Sequence, residues 1–338
     1  MQPETVPMFE PVADDGPPGP IVDHPAPPPD DEQKPLGDRL RELTTPCRVH
    51  HTQLGVRRAL SNGQLTQAAA TFGADARMIG AAKKLLDTRH PAVRKVTRIR
   101  HDATGYWRSV SAPYPEPGMR LIRRSRVGDF EARMMTYRNQ LAGAVAELEA
   151  KYHELRNDAE ERLGALFNPA DYPDSLADHY SLSWDYPSAD PPAYLKQVAP
   201  ELYEAERARI RARMEESLKL TEDALAAELA KVVSHLVDRL AGDDDGKAKV
   251  FRDSAIENAT AFFERFAELR IVGSSALDSI VADARSVLAG IDPKRLRKSE
   301  TLREHVAGEL AKVSATLDGL MVDRGRAIAL DDDTEGPF

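Results

Sequence analysis

Between residues 83 and 126 the sequence places twelve lysines and arginines against three acids, Asp87, Asp102 and Glu116, a local net charge of +9. Tyr106, Trp107 and Tyr114 are interleaved with the bases. Ammonium and guanidinium groups neutralise phosphates, and aromatic faces stack on unpaired bases for about 1–3 kcal/mol each. This combination predicts a surface for single-stranded nucleic acid, DNA or RNA. The residues expected to carry it are Lys83, Lys84, Arg94, Lys95, Arg98, Arg100, Tyr106, Trp107, Arg108, Arg120, Arg123, Arg124 and Arg126. The competing expectation is that Trp107 is core and that the arginines pair with carboxylates such as Glu147 or Glu215 on neighbouring helices.

Other chemistry finds little footing. The nine histidines include the adjacent pair His50-His51, whose side chains diverge on a helix, and none has a ligand partner at metal-binding spacing. Gly242-Asp243-Asp244-Asp245-Gly246-Lys247 is one residue short of a phosphate loop and lacks its hydroxyl residue. Its three consecutive acids do not suit calcium, whose ligands alternate along the loop; a helix–helix turn is expected. The carboxylate pairs Glu147/Glu149 and Glu215/Glu216 fall on solvated faces where nothing would perturb them. No nucleophile has a base in view. The expectation is a protein without catalytic residues, metal or cofactor.

The overall charge of −9 in 338 residues hides a polarised distribution. Residues 1–35 hold eight acids against Lys34, together with eleven prolines and almost no large apolar side chains. Such a segment buries too little surface to offset the entropy of ordering, so a disordered acidic tail is expected. The other acidic end, 327–338, carries Asp331, Asp332, Asp333 and Glu335, leaving the body between the ends near neutral. Cys47 is alone and forms no internal disulfide, and no stretch approaches the roughly 20 apolar residues of a membrane span. A cytoplasmic protein of a bacterial or phage-infected cell is expected.

The elements that must position these residues are mostly α-helical. Short helices are expected over 36–111, with Pro91 in the first turn of one that repeats Val93, Val96 and Ile99 towards Trp107. Three prolines in 113–117 stop it. From 127 to 164 Phe130, Met134, Tyr137, Leu141, Val145, Leu148, Tyr152, Leu155, Ala159 and Leu163 recur every three or four residues, the stripe of one unbroken helix. A second such stripe, Ile210 to Leu240, spans about 200–241. Two long stripes predict an antiparallel, coiled-coil-like hairpin, though a homodimeric coiled coil satisfies the same pattern. Tyr180, Leu182, Trp184 and Tyr186 alternate as in a strand, and 179–186 is expected to pair with 119–124 as a small two-stranded β element. Further helices are expected in 247–322, with starts at Asp292-Pro293 and Ser299. The body would thus be one helical unit over 36–326.

Two resemblances bear on function. The terminal Asp331-Asp332-Asp333-Thr334-Glu335-Gly336-Pro337-Phe338 resembles the acidic tip of bacterial single-stranded DNA-binding proteins. The resemblance implies that Phe338 and Pro337 enter a basic-rimmed pocket on replication or recombination proteins while the aspartates supply attraction. The Pro115–Arg124 turn and strand, Leu163-Gly164-Ala165-Leu166-Phe167-Asn168, Asp171-Tyr172-Pro173 and Tyr180–Tyr186 resemble a helical family of phages and mobile elements, domain of unknown function 3150. That family accompanies ring-forming ATPases, which implies an adaptor role and transfers no catalytic residue. Two expectations result: a single-strand binder with a partner-recruiting tip in phage or mobile-element replication or recombination, or a structural coiled-coil adaptor, in either case able to self-associate.

Overall fold

Thr44–Thr52, a run of threonine, valine and histidine, is extended and organises the N-terminal half of the fold (β1). In this computed structural model, which describes residues 34–241, 254–270 and 275–323, β1 follows helix α1 (Leu36–Leu43). The strand β2 (Arg57–Ala59), helix α2 (Asn62–Thr71) and strand β3 (Ala82–Lys84) come next. Helix α3 (Pro91–Ser109) leads to β4 (Ser111–Pro113) and β5 (Met119–Arg123), then to α4 (Val127–Leu163) and β6 (Ser181–Asp185). The remainder is helical: α5 (Leu195–Val198), α6 (Pro200–Ala241), α7 (Ser254–Leu269), α8 (Ser275–Leu288), α9 (Pro293–Lys298) and α10 (Glu300–Asp323). The proline-rich tail but for its last two residues, the 242–247 turn, and the acidic tip with Asp331, Asp332, Asp333, Pro337 and Phe338 lie outside the described residues.

The main sheet is antiparallel with strand order β4-β5-β1-β6. It corrects the expected direct pairing of 119–124 with 179–186: both segments are strands, but β1 lies between them. Thr44–Arg48 pair with β5 and Arg48–Thr52 with β6, so the two partners overlap only at Arg48. Pro46 sits in the half with one neighbour, where its missing N–H breaks no ladder bond on the open side. A proline there reads from sequence as a loop, which is why β1 is hidden within a region expected to be short helices.

The long helices are present, but their stripes do not face one another, which corrects the expected hairpin. Phe130, Met134, Leu141, Leu148, Tyr152 and Leu155 of α4 pack with Val93, Val96, Ile99 and Trp107 of α3, with Leu182 of β6 and with Leu85 and Leu86. The C-terminal half of α6, through Leu225, Leu229, Val233 and Leu236, instead builds a second core with Phe262, Phe263 and Phe266 of α7, and with α8, α9 and α10. A stripe specifies that a face is buried, not which partner buries it.

The N-terminal half of α6 joins the two. Met214 packs with Leu40, Tyr114 and Leu121, and Ser217 donates to the Pro113 carbonyl at 2.5 Å. Helix α1 lies so close to α6 that a Cβ on Gly37 would meet the Arg211 carbonyl at 2.8 Å. The expected start at 292–293 is as the sequence suggests, with Asp292 capping Lys294 N at 2.9 Å. No described helix is long and apolar enough to cross a membrane.

Candidate nucleic-acid interface

Pro91 opens α3 because its fixed φ suits a first helical turn and its missing N–H has no intrahelical partner there. His90 adds the cap, its Nδ1 accepting from Ala92 N at 3.3 Å. The buried face of α3, Val93, Val96, Ile99, Ala103 and Trp107, fixes what the opposite face shows. Arg94, Arg98 and His101, spaced four and three residues apart, share that outer face.

They line an open groove of about 860 Å³ whose walls include Gln53, Leu54, Lys95, Arg100 and Tyr180. No carboxylate is among its lining residues. Arg94 and Arg98 are exposed and make no ion pair among the described residues. Like charges at i and i+4 repel by about 0.2–0.5 kcal/mol on a helix surface, so an anion bound along this face would relieve a small repulsion. From Arg94 to His101 the track runs roughly 10 Å at 1.5 Å per residue, about three nucleotides at a stacked rise of about 3.4 Å.

On β1, His51 shares a hydrogen bond with Thr104 Oγ1 of α3, 3.0 Å from its Nε2. Burial, then the neighbouring Arg100, His101 and His50, hold its pKa down to about 4. The imidazole is therefore neutral near pH 7, and the positive charge at this site comes from lysine and arginine. Burial raises the Tyr180 phenol above its ordinary value. Burial also pushes the Cys47 thiol up to about 12, leaving it an unreactive core group.

No protein-family model, curated protein or solved structure matches the chain.

The structure divides the residues expected from sequence into three sets. Arg94, Lys95, Arg98 and Arg100 gather at the groove, with Lys95 also contacting both carboxylate oxygens of Glu147 at 2.7 Å. Lys84 and Arg108 are exposed away from the groove lining.

The remaining residues are engaged by the fold. Lys83 is only 5% exposed, donating to the Leu166 carbonyl at 2.6 Å, with Nζ 2.7 Å from Asp171 Oδ2. Arg120 donates to the carbonyls of Ser111 and Arg108, and burial holds its pKa down to about 10. Arg123 and Arg124 donate to the carbonyls of Arg270 and Thr44, and Arg126 pairs with Glu268 at 3.1 Å.

The two aromatics expected to stack on bases belong to the first core. Trp107 is 8% exposed, and Tyr106 stacks on Phe130 with ring centroids 6.0 Å apart. Tyr180, also packed half-buried against this core, is the aromatic residue that lines the groove. The sequence pattern marks Tyr180 only as part of a strand, and nothing in it marks Gln53. His101 is legible in principle, one helical turn beyond Arg98. Among the described residues no group of three or more histidine, cysteine or acidic side chains could hold a metal ion.

Proposed function

We propose that this protein is a non-catalytic binder of single-stranded nucleic acid, with the strand lying along the outer face of α3. The observation that carries this reading is the groove itself: lysine and arginine line it, no carboxylate does, and Arg94 and Arg98 have no ion pair among the described residues. Phosphates would meet Arg94, Arg98, Lys95 and Arg100, and a base would meet Tyr180. Replication or recombination proteins recruited through the acidic tip, in a phage or mobile-element setting, complete the proposal. That part rests on the resemblance of residues 331–338 alone.

The direct test is fluorescence anisotropy of a labelled oligothymidine with the full chain and with Arg94→Ala/Arg98→Ala. Charge-assisted contacts to phosphate predict a loss of about tenfold in affinity per arginine, with thermal stability unchanged because both side chains are exposed. Absence of binding to the wild-type chain at low salt would end the proposal.

A second reading is favoured by a specific observation. Lys83, Arg120, Arg123, Arg124, Arg126, Tyr106 and Trp107 are held by the fold, as an adaptor whose basic and aromatic residues join helices would hold them. On that reading, which extends to a ring-forming ATPase as partner, Arg94→Ala/Arg98→Ala has no effect on any nucleic acid.

A further inference from the structure

Residues 57–84 leave the body and return to it as an arm. Three facing pairs join β2 to β3, Arg57 with Lys84, Arg58 with Lys83 and Ala59 with Ala82, and α2 lies between the strands in sequence. Helix α2 is specified locally. Ser61 and Gln64 form a reciprocal capping box, and Gly73, at φ 63°, takes the left-handed turn that follows the helix. It is not specified by burial: Ala69 is its one buried residue. At the far end Phe72 is 80% exposed and Met78 85% exposed.

A two-stranded ribbon is marginal by itself in water, and this one faces cation with cation at two successive rungs. Like charges directly opposite in an antiparallel pair are destabilising. At the Arg58/Lys83 rung the fold answers the repulsion with Asp171, which lies 3.4 Å from Arg58 and 2.7 Å from Lys83. At the Arg57/Lys84 rung nothing comparable stands: both side chains are exposed, and neither makes an ion pair among the described residues. Val56, next to Arg57, and Thr88, four residues beyond Lys84, line the α3 groove, while Lys84 lines a smaller pocket with Asp87, Arg89, Asp158 and Arg162.

We infer that the arm is a second nucleic-acid-binding element continuous with the α3 groove, in which Arg57 and Lys84 take a phosphate and Phe72 takes an unpaired base. This rests on the groove being a nucleic-acid site. Charge complementarity selects the occupant. Arg58 and Lys83 are met by Asp171 and Arg77 by Asp75, which leaves Arg57 and Lys84 as a doubly cationic rung without an ion pair among the described residues, on an arm that adjoins a groove lined by cations. An exposed aromatic at the end of α2, on an arm that also carries a cationic rung, suits a single strand, whose bases offer faces for stacking. An acidic partner protein would not need that face, and a second copy of the arm would repel it.

The test uses the full chain carrying Phe72→Trp, a substitution at an open position. Trp107 and Trp184, present in every form, are subtracted by running the wild type alongside. Adding an oligothymidine of about 30 nucleotides is expected to quench the emission contributed by position 72, with no matching change in the wild type. In parallel, Arg57→Ala/Lys84→Ala is expected to weaken that strand by about tenfold and a strand of about eight nucleotides, confined to α3, by less than about twofold. Its melting temperature should equal or exceed that of the wild type, because a like-charge rung has been relieved.

Binding at the groove with no change in the Phe72→Trp emission and a harmless Arg57→Ala/Lys84→Ala overturns the arm and leaves the groove reading intact. No binding by any form overturns both. An emission change at position 72 that follows protein concentration and ignores the oligonucleotide assigns the arm to self-association and overturns the proposal, as does a lowered melting temperature in the double variant.

Discussion

Asp171→Ala should destabilise the protein far more than any exposed acid, because of what it leaves behind. Lys83 Nζ sits 2.7 Å from Asp171 Oδ2, and the two side chains are 5% and 8% exposed. Removing the aspartate strands an ammonium group almost closed to water, and breaking a buried pair this way costs about 3–5 kcal/mol. The Leu166 carbonyl, 2.6 Å from the same nitrogen, remains as an acceptor and places the expected loss near the lower end, about 3 kcal/mol. Arg58, the other cation at Asp171, is 66% exposed and loses little. Lys83→Met leaves Asp171 with Arg58 and should cost less, about 1–2 kcal/mol. The double variant Lys83→Met/Asp171→Ala should return to within about 1 kcal/mol of wild type, since no buried charge is left. Urea denaturation followed by tryptophan fluorescence measures this directly, because Trp107 and Trp184 both pack in the first core and report its unfolding. A loss of under about 1 kcal/mol in Asp171→Ala would mean that Lys83 is solvated, and the assignment of Lys83 to the fold rather than to phosphate would be wrong.

Two further outcomes follow from the same geometry. Trp107→Ala should cost about 3–5 kcal/mol as a large-to-small core change, yet leave oligonucleotide affinity unchanged at temperatures where the variant is folded; specific loss of binding in folded protein would contradict its placement in the core. His51 is held neutral, with a pKa near 4 against an ordinary 6.5. The stability this contributes is therefore complete above 6.5 and is lost as pH falls through 4. Urea midpoints measured from pH 7 to pH 4 should fall more steeply in wild type than in His51→Gln, and parallel curves would remove His51 as the cause.

How much of this is legible in sequence varies with the range of the forces involved. Helices α4 and α6 are readable because long runs of apolar residues repeat at helical spacing, and the starts of α3 and α9 are readable because Pro91 and Asp292-Pro293 act locally. Strand β1 is not, because Pro46 argues against a central strand unless one knows that only β5 flanks its half. The pairing of the long helices escapes the sequence for a related reason: periodicity gives a buried face and no address. At the site, the Arg94–Arg98 face can be anticipated from spacing on one helix. The fate of Lys83 cannot, since its partner Asp171 is distant in sequence, nor can that of Trp107, whose burial depends on the packing of α3 against α4 and the sheet.

The measurement closest to the central claim is the salt dependence of oligothymidine affinity in wild type and in Arg94→Ala/Arg98→Ala. Each phosphate contact on a single strand contributes about 0.7 to the slope of log K against log salt. Losing both arginines should therefore flatten that slope by about 1.4. Identical slopes in the two proteins, or wild-type binding that salt does not weaken, would mean that no phosphate chain lies along α3.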